Sequence, residues 1–461
     1  MSDNRGHCPN LFKIYINDLF EYLKSNTNVP YLDTEPIDCL MYADDLVLLS
    51  TSENGLQKSL NGLSKFCIDW KLSINIEKTK IMVFNKSGRL IQTNLYLNKI
   101  KVTDARTYKY LGIIFSISGK FNSAKQDLLQ RGFKAVFKLT SIFKFSKPNV
   151  STCLHLFDHV IKPVLLYGAE VWGDHCFTNT DRLYNTLKND IVEACHIKFL
   201  RYTLGVSKKA PNLGIYGDTG RFPISFNAAV SATKYWHRLA NFNDQTNKLM
   251  TVAYNASKHN DSKRSWFKNI FNMTKLILVD KDHLQLYPRF YTNKLHSIMK
   301  DKFIEGWRID LFCDKRKSNY GNKLRTYRLF KNVFRREDYL QQCTNTVHRS
   351  AYTRFRLSAH RLNIETLRYS KPRILPEDRL CSNCTLNVCE NEFHFLMICN
   401  AYDDIRKPFF EAMSLKYNYF STLSPEDKFI WLCSSNKPYV VTLLAEFVHE
   451  CFLKRDKVAR Q

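Results

Sequence analysis

Two sets of side chains in this sequence have types and spacings that do chemistry. The first is Asp44-Asp45, set between the apolar runs Cys39-Leu40-Met41-Tyr42-Ala43 and Leu46-Val47-Leu48-Leu49. Two short apolar runs folded about an acidic pair predict a hairpin over Ile37–Ser50 with both carboxylates at its tip. Oxygen ligands of this kind suit a hard divalent cation. The same pair also suits an ordinary solvated turn, because Asp favours turns for local hydrogen-bonding reasons. The second set is Cys381-x2-Cys384-x9-His394-x4-Cys399. Three thiolates and an imidazole are donors that tetrahedral Zn2+ prefers, and a Cys-x2-Cys turn presents two sulfurs from one short loop. Cys389 offers an alternative ligand, since Cys384, Cys389, His394 and Cys399 recur at five-residue steps. Cys381 is preferred because it completes the Cys-x2-Cys turn.

The elements that must position these groups follow from hydrophobic periodicity. An amphipathic helix is expected over Leu11–Lys24, and a second one carries Leu56, Leu60, Leu63, Cys67 and Trp70 on one face. Lys80–Phe84, Leu95–Val102 and Tyr110–Ser116 read as strands, which makes residues 1–120 an α+β block with a small antiparallel sheet. Residues 121–310 are mainly helical in pattern, broken at Pro148, Pro211 and Pro223, with a polar loop expected over Asn255–Lys263. Residues 311–461 form a basic helical tail. Within it, Asp314–Arg373 carries 16 Lys and Arg against 4 acids, interleaved with Tyr320, Tyr327, Phe334, Tyr352, Phe355 and Tyr369. Such a stretch can hold phosphates while its rings stack on bases. It can equally form basic amphipathic helices whose rings fill a core. Phe395–Ile398 is expected to be a short helix beneath the metal, and Tyr439–Phe452 a final amphipathic helix.

Composition bounds the function. A net charge of +26 over 461 residues argues for a polyanionic partner such as nucleic acid. No apolar run reaches about 18 residues and the first residues hold no apolar leader, so neither secretion nor membrane spanning is indicated. An intracellular location, nucleus or cytoplasm, is expected. Fourteen cysteines spread over so long a chain point to reduced thiols plus a metal site, not a disulfide framework.

The succession Tyr42-Ala43-Asp44-Asp45, a helix ending at Trp70, Leu72–Phe84 and Tyr108–Phe115 resembles the palm of reverse transcriptases of non-long-terminal-repeat (LINE-like) retrotransposons. Gly6-His7-Cys8-Pro9 with Leu11–Leu19 looks like a damaged form of that family's template-contacting motif. Val160–Gly173 and Leu204–Ile224 resemble the region after its thumb. The resemblance implies an RNA-directed DNA polymerase working by two-metal nucleotidyl transfer. Asp44 would be the Mg2+-binding carboxylate and Asp45 would support the second ion. Lys78 or Lys80 would lie near the incoming triphosphate, although either also suits a solvated strand edge. Tyr42, Tyr110, Leu111 and Gly112 would contact nucleic acid, the last three bracing the primer end. The partners would be an RNA template and a DNA primer or target DNA, with Cys381, Cys384, His394 and Cys399 as a zinc knuckle.

The family also uses a carboxylate from an earlier palm strand, and only 43 residues precede Asp44. Asp3 and Asp18 are poorly placed to replace it. The expectation is therefore an N-terminally truncated polymerase: a partial palm over 1–120, a thumb-like and connecting region over 121–310, and a zinc-knuckle tail over 311–461. The fingers and first palm carboxylate are expected to be missing, which would impair activity. The competing reading is a non-catalytic nucleic-acid-binding remnant.

Overall fold

The computed structural model describes residues 12, 14–24, 28–33, 35–240, 248–259, 265–272, 276, 288–312 and 323–458. Asp3, the motif at Gly6–Pro9, the basic run Lys315–Lys317 and Tyr320 lie outside the described residues. The chain forms two units. One comprises Met1–Gln130, Tyr167–Thr180 and Ala228–Asn293, the other Arg131–Leu166, Asp181–Asn227 and Lys294–Gln461.

The first unit begins with α1 (Leu19–Leu23), shorter than the helix expected over Leu11–Lys24 because a turn at 16–18 interrupts it. Two short strands, β1 (Tyr31–Leu32) and β2 (Glu35–Pro36), precede the hairpin of β3 (Cys39–Tyr42) and β4 (Asp45–Leu48). Next comes α2 (Glu53–Asp69), which starts where Ser52 Oγ accepts a hydrogen bond from the Gly55 amide at 3.1 Å, a capping interaction that satisfies one orphan donor. Its apolar face is buried in two directions. Leu63, Phe66 and Cys67 pack with Ile16, Leu19, Leu23 and Cys39. Leu60 packs with Ile81, Leu95, Leu97 and Val102. Gly62 permits the close approach of α1, since a Cβ there would lie 2.2 Å from the Tyr22 carbonyl oxygen.

The strands after α2 are shorter than the apolar runs suggest. Lys80–Phe84 yields only β5 (Lys80–Ile81), which pairs in parallel with β8 (Thr103–Asp104). Leu95–Val102 folds back on itself as β6 (Tyr96–Leu97) and β7 (Ile100–Lys101), because Asn98 and Lys99 take φ of 50° and 64°. Tyr110–Ser116 likewise bends at Leu111-Gly112, so that β9 (Thr107–Tyr110) pairs with β10 (Ile113–Ser116). The expected small sheet is thus a set of two-stranded ladders. α3 (Asn122–Ser146) follows. Further along, Asn255–His259 is helical, not a loop: the helix Lys248–His259 runs through it because Tyr254 is buried and meets Phe267 edge-on at 5.6 Å.

The second unit is largely helical. Tyr327, Tyr352 and Phe355 of the basic stretch are buried, so for these rings the core reading holds. They surround or flank Arg356, a buried guanidinium paired with Asp218 and Glu337. Tyr369, at 65% exposed, stays outside. The final helix Pro438–Val458 buries Val440, Val441, Leu444, Val448 and Cys451 and packs along the helix Thr346–Arg356. No helix among the described residues is long and apolar enough to cross a membrane.

Candidate active site and metal centre

The carboxylate pair sits where the sequence pattern puts it. β3 and β4 pair with Tyr42 opposite Asp45, leaving Ala43 and Asp44 as a two-residue turn. Ala43 takes φ 54°, a left-handed conformation that costs a non-glycine residue of order 1 kcal/mol and that the flanking strands must hold. They are held by Cys39, Met41, Leu46 and Leu48, which pack onto the α2 core. The tip itself faces water, with Asp44 and Asp45 exposed and Tyr42 66% exposed.

A second hairpin tip shares this neighbourhood. Leu111 and Gly112 take φ of 46° and 83°, the paired positive values of the tight turns that match strand twist, and join Tyr110 to Ile113. Burial pushes the Tyr110 phenol above its usual value, and the Asp45 carboxylate adds to the shift, so the two side chains are within electrostatic reach. Lys78 is exposed on a turn, its amide donating to Asn75 Oδ1 at 3.0 Å, and Lys80 is half-buried on β5 opposite Thr103. Asp18 is exposed beside the start of α1. Among the described residues, no third His, Cys, Asp or Glu joins Asp44 and Asp45 in a ligand-sized group.

The Cys/His set does converge. A bridge between Leu380 and Cys389, with the Cys381 amide bonded to the Val388 carbonyl at 2.8 Å, closes a loop that presents Cys381 and Cys384. One π-helical turn, His394–Ile398, presents His394 at its start and Cys399 just past its end. Asn391 Oδ1 accepts from the His394 amide at 2.8 Å and so fixes the entry to that turn. The four ligand atoms lie within 4.8 Å of one another, with Cys381 Sγ 3.9 Å from Cys399 Sγ and Cys384 Sγ 3.5 Å from His394 Nε2. A tetrahedron with metal–sulfur bonds of about 2.3 Å has edges of roughly 3.8 Å, so the donor set fits a zinc ion. The bond to Cys399, reinforced by burial, pushes the Cys381 thiol up to about 12, while the same bond holds Cys399 below the usual thiol value. Cys389 is turned elsewhere: its thiol donates to the Pro376 carbonyl at 3.1 Å.

The residues that hold this loop are ones the sequence pattern did not reveal. Glu390 accepts from Arg455 Nε at 2.7 Å and from the Asn363 amide at 2.6 Å. Glu392 receives Arg325, Thr326, Ser358 and His360 at 2.8–2.9 Å. Burial opposes the charge of Glu392, yet Arg325 and His360 prevail and hold its carboxyl far below the usual range. The only hint in the sequence is a Glu-x-Glu pair beside the metal motif in a basic tail. These partners come from 27 to 67 residues away, outside any local pattern.

The first block thus combines an acidic hairpin tip, a helix packed beneath it and a second tight hairpin. Residues 7–115 match the family described as reverse transcriptase (RNA-dependent DNA polymerase), so the first block is a reverse-transcriptase segment. More particularly, the chain is similar to the RNA-directed DNA polymerase from mobile element jockey of Drosophila melanogaster. The two are 25% identical over 173 residues, 36% of this chain and 18% of that protein. It is also 25% identical over 179 residues to an uncharacterised transposon-derived protein of Caenorhabditis elegans, covering 36% of this chain and 57% of the relative. The chain thus spans less than two thirds of the length of these relatives, and under a fifth of the fly polymerase. Lower-coverage likenesses of the same kind extend to a probable RNA-directed DNA polymerase from transposon BS of Drosophila melanogaster, 26% identical over 161 residues, 33% of this chain and 18% of that protein.

Proposed function

We propose that the chain is an RNA-directed DNA polymerase fragment of a LINE-like mobile element. In this reading residues 1–120 are part of the palm, 121–310 a thumb-like and connecting region, and 311–461 a basic tail built on a zinc knuckle. The observation that carries it is the exposed hairpin tip with Asp44 and Asp45, with Tyr110 of the neighbouring hairpin in electrostatic reach. Asp44 and Asp45 would hold Mg2+, which would supply activation of the primer 3′-hydroxyl and neutralisation of the triphosphate. The chain's own part is positioning. The tight turn fixes the two carboxylates, Tyr42 borders them, Lys78 or Lys80 offsets charge on the leaving pyrophosphate, and Tyr110, Leu111 and Gly112 support the primer terminus. Cys381, Cys384, His394 and Cys399 would hold a structural Zn2+ joining the 380–389 loop to the 394–399 turn. The partners are an RNA template and a DNA primer or target DNA, met in the nucleus or cytoplasm.

A second reading is a non-catalytic nucleic-acid-binding protein. It is favoured by the net charge of +26 and by the two-carboxylate tip, since a two-metal site clamped by fewer carboxylates loses transition-state stabilisation. Single-nucleotide extension of a DNA primer on an RNA template with Mg2+ separates the two. Extension by the wild type that Asp44→Ala abolishes supports the polymerase. Absence of extension with salt-sensitive binding of the same duplex supports the binding protein.

A further inference from the structure

The segment Tyr167–Trp172 touches the second hairpin tip at the point where that turn is most constrained. The Tyr167 hydroxyl donates to the Leu111 carbonyl at 2.9 Å. Its ring lies against Gly112 so closely that a Cβ there would be 3.1 Å from Tyr167 Cε1. Gly168, at φ 68°, approaches from the same side, and a Cβ on it would be 2.9 Å from Ile113 Cδ1. Two glycines thus let two backbones meet across one tyrosine. The segment is itself anchored. Trp172 is buried, donates through Nε1 to the Tyr167 carbonyl at 2.9 Å, and lies under Lys125 of α3 at 4.9 Å from the ring centroid. Tyr167, in contrast, is 49% exposed, so its hydroxyl spans from a fixed base to an exposed tip without contributing much to a core.

We propose that Tyr167 is a positioning residue for primer binding. Through its hydrogen bond to Leu111 and its ring contact with Gly112, it sets the height of the 110–112 turn relative to the Asp45 carboxylate. This rests on the reading of Tyr110, Leu111 and Gly112 as the support of the primer terminus. A turn carrying two positive φ values, one on a leucine, is costly to hold, and a hydrogen bond to its outer carbonyl stabilises one conformation among several.

The test uses the full chain and a DNA primer annealed to an RNA template, with 2-aminopurine at the primer 3′ terminus in one duplex and at an internal position in another. Wild type is expected to alter the terminal probe's fluorescence. Tyr167→Phe should populate the protein-induced state of the terminal probe about fivefold less, the weight of one neutral hydrogen bond, and Tyr167→Ala less still. The internal probe, the overall affinity and the unfolding midpoint should be those of the wild type. A terminal signal unchanged in both variants overturns the proposal, as does a loss that tracks overall affinity or unfolding midpoint. Wild type that binds neither duplex overturns the functional reading itself, and this inference with it.

Discussion

At the scale of single residues, the metal set makes the sharpest claim. Cys384→Ser is expected to reduce bound zinc, measured by atomic emission on the purified protein, from about one equivalent toward none, and Cys389→Ser to leave it unchanged. The spacing alone left Cys381 and Cys389 as alternatives, and the direction of the Cys389 thiol toward Pro376 favours Cys381. A different residue tests the ion pairs. Asp158 accepts from Arg221 at 2.6 and 2.7 Å and from Lys162 at 3.2 Å, and although burial opposes its charge, these cations hold its carboxyl below the usual value. A depressed folded value stabilises the protein above the unfolded carboxylate range, and that stabilisation fades as pH falls through the folded value. Asp158→Asn should cost about 1–3 kcal/mol at pH 7 by denaturant unfolding, with the gap to wild type narrowing below about pH 4.

At the scale of elements, helix α2 organises the first block, and the legibility of that block was uneven. The apolar face of α2 could be read directly, because a 3.6-residue period is a local signal. The Ile37–Ser50 hairpin was legible for the same reason. The turn at Asn98-Lys99 was not, since it carries no Gly or Pro mark and shows only as a one-residue shift in the alternation, from Leu95 and Leu97 to Ile100 and Val102. Nor was the fit of α1 against Gly62, a contact between backbones that no side-chain pattern encodes. Gly62→Ala places a methyl 2.2 Å from the Tyr22 carbonyl oxygen, and α1 must shift to admit it. The expected result is a loss of about 1–3 kcal/mol, with weaker near-ultraviolet circular dichroism from Trp70 and Tyr22, which belong to the same cluster. An unchanged unfolding midpoint would mean that α1 does not seat there in solution.

At the scale of the whole molecule, charge and chain path matter most. The surplus of 69 Lys and Arg over 43 acids was plain in the composition, but which of the aromatic residues among them face solvent was not. Tyr327 and Tyr352 look like stacking platforms by spacing and are core residues gathered about a buried arginine. Binding of the RNA–DNA duplex should therefore be dominated by phosphate contacts. If about six phosphates are neutralised, affinity should fall roughly a thousandfold between 50 and 200 mM salt. A flat titration would point away from the polyanion.

The path of the chain has a consequence for how the protein is born. The first unit recruits Ala228–Asn293 to residues made much earlier, while the second awaits the C-terminus. At about 5–20 residues per second on the ribosome, the segment up to Gln130 waits roughly five to thirty seconds for those late partners. During that interval the face of β1 on which the helix Lys248–His259 packs stands uncovered. Expression should consequently respond to chaperone supply and to slower translation, and a fragment ended at residue 130 should be recovered mainly as aggregate.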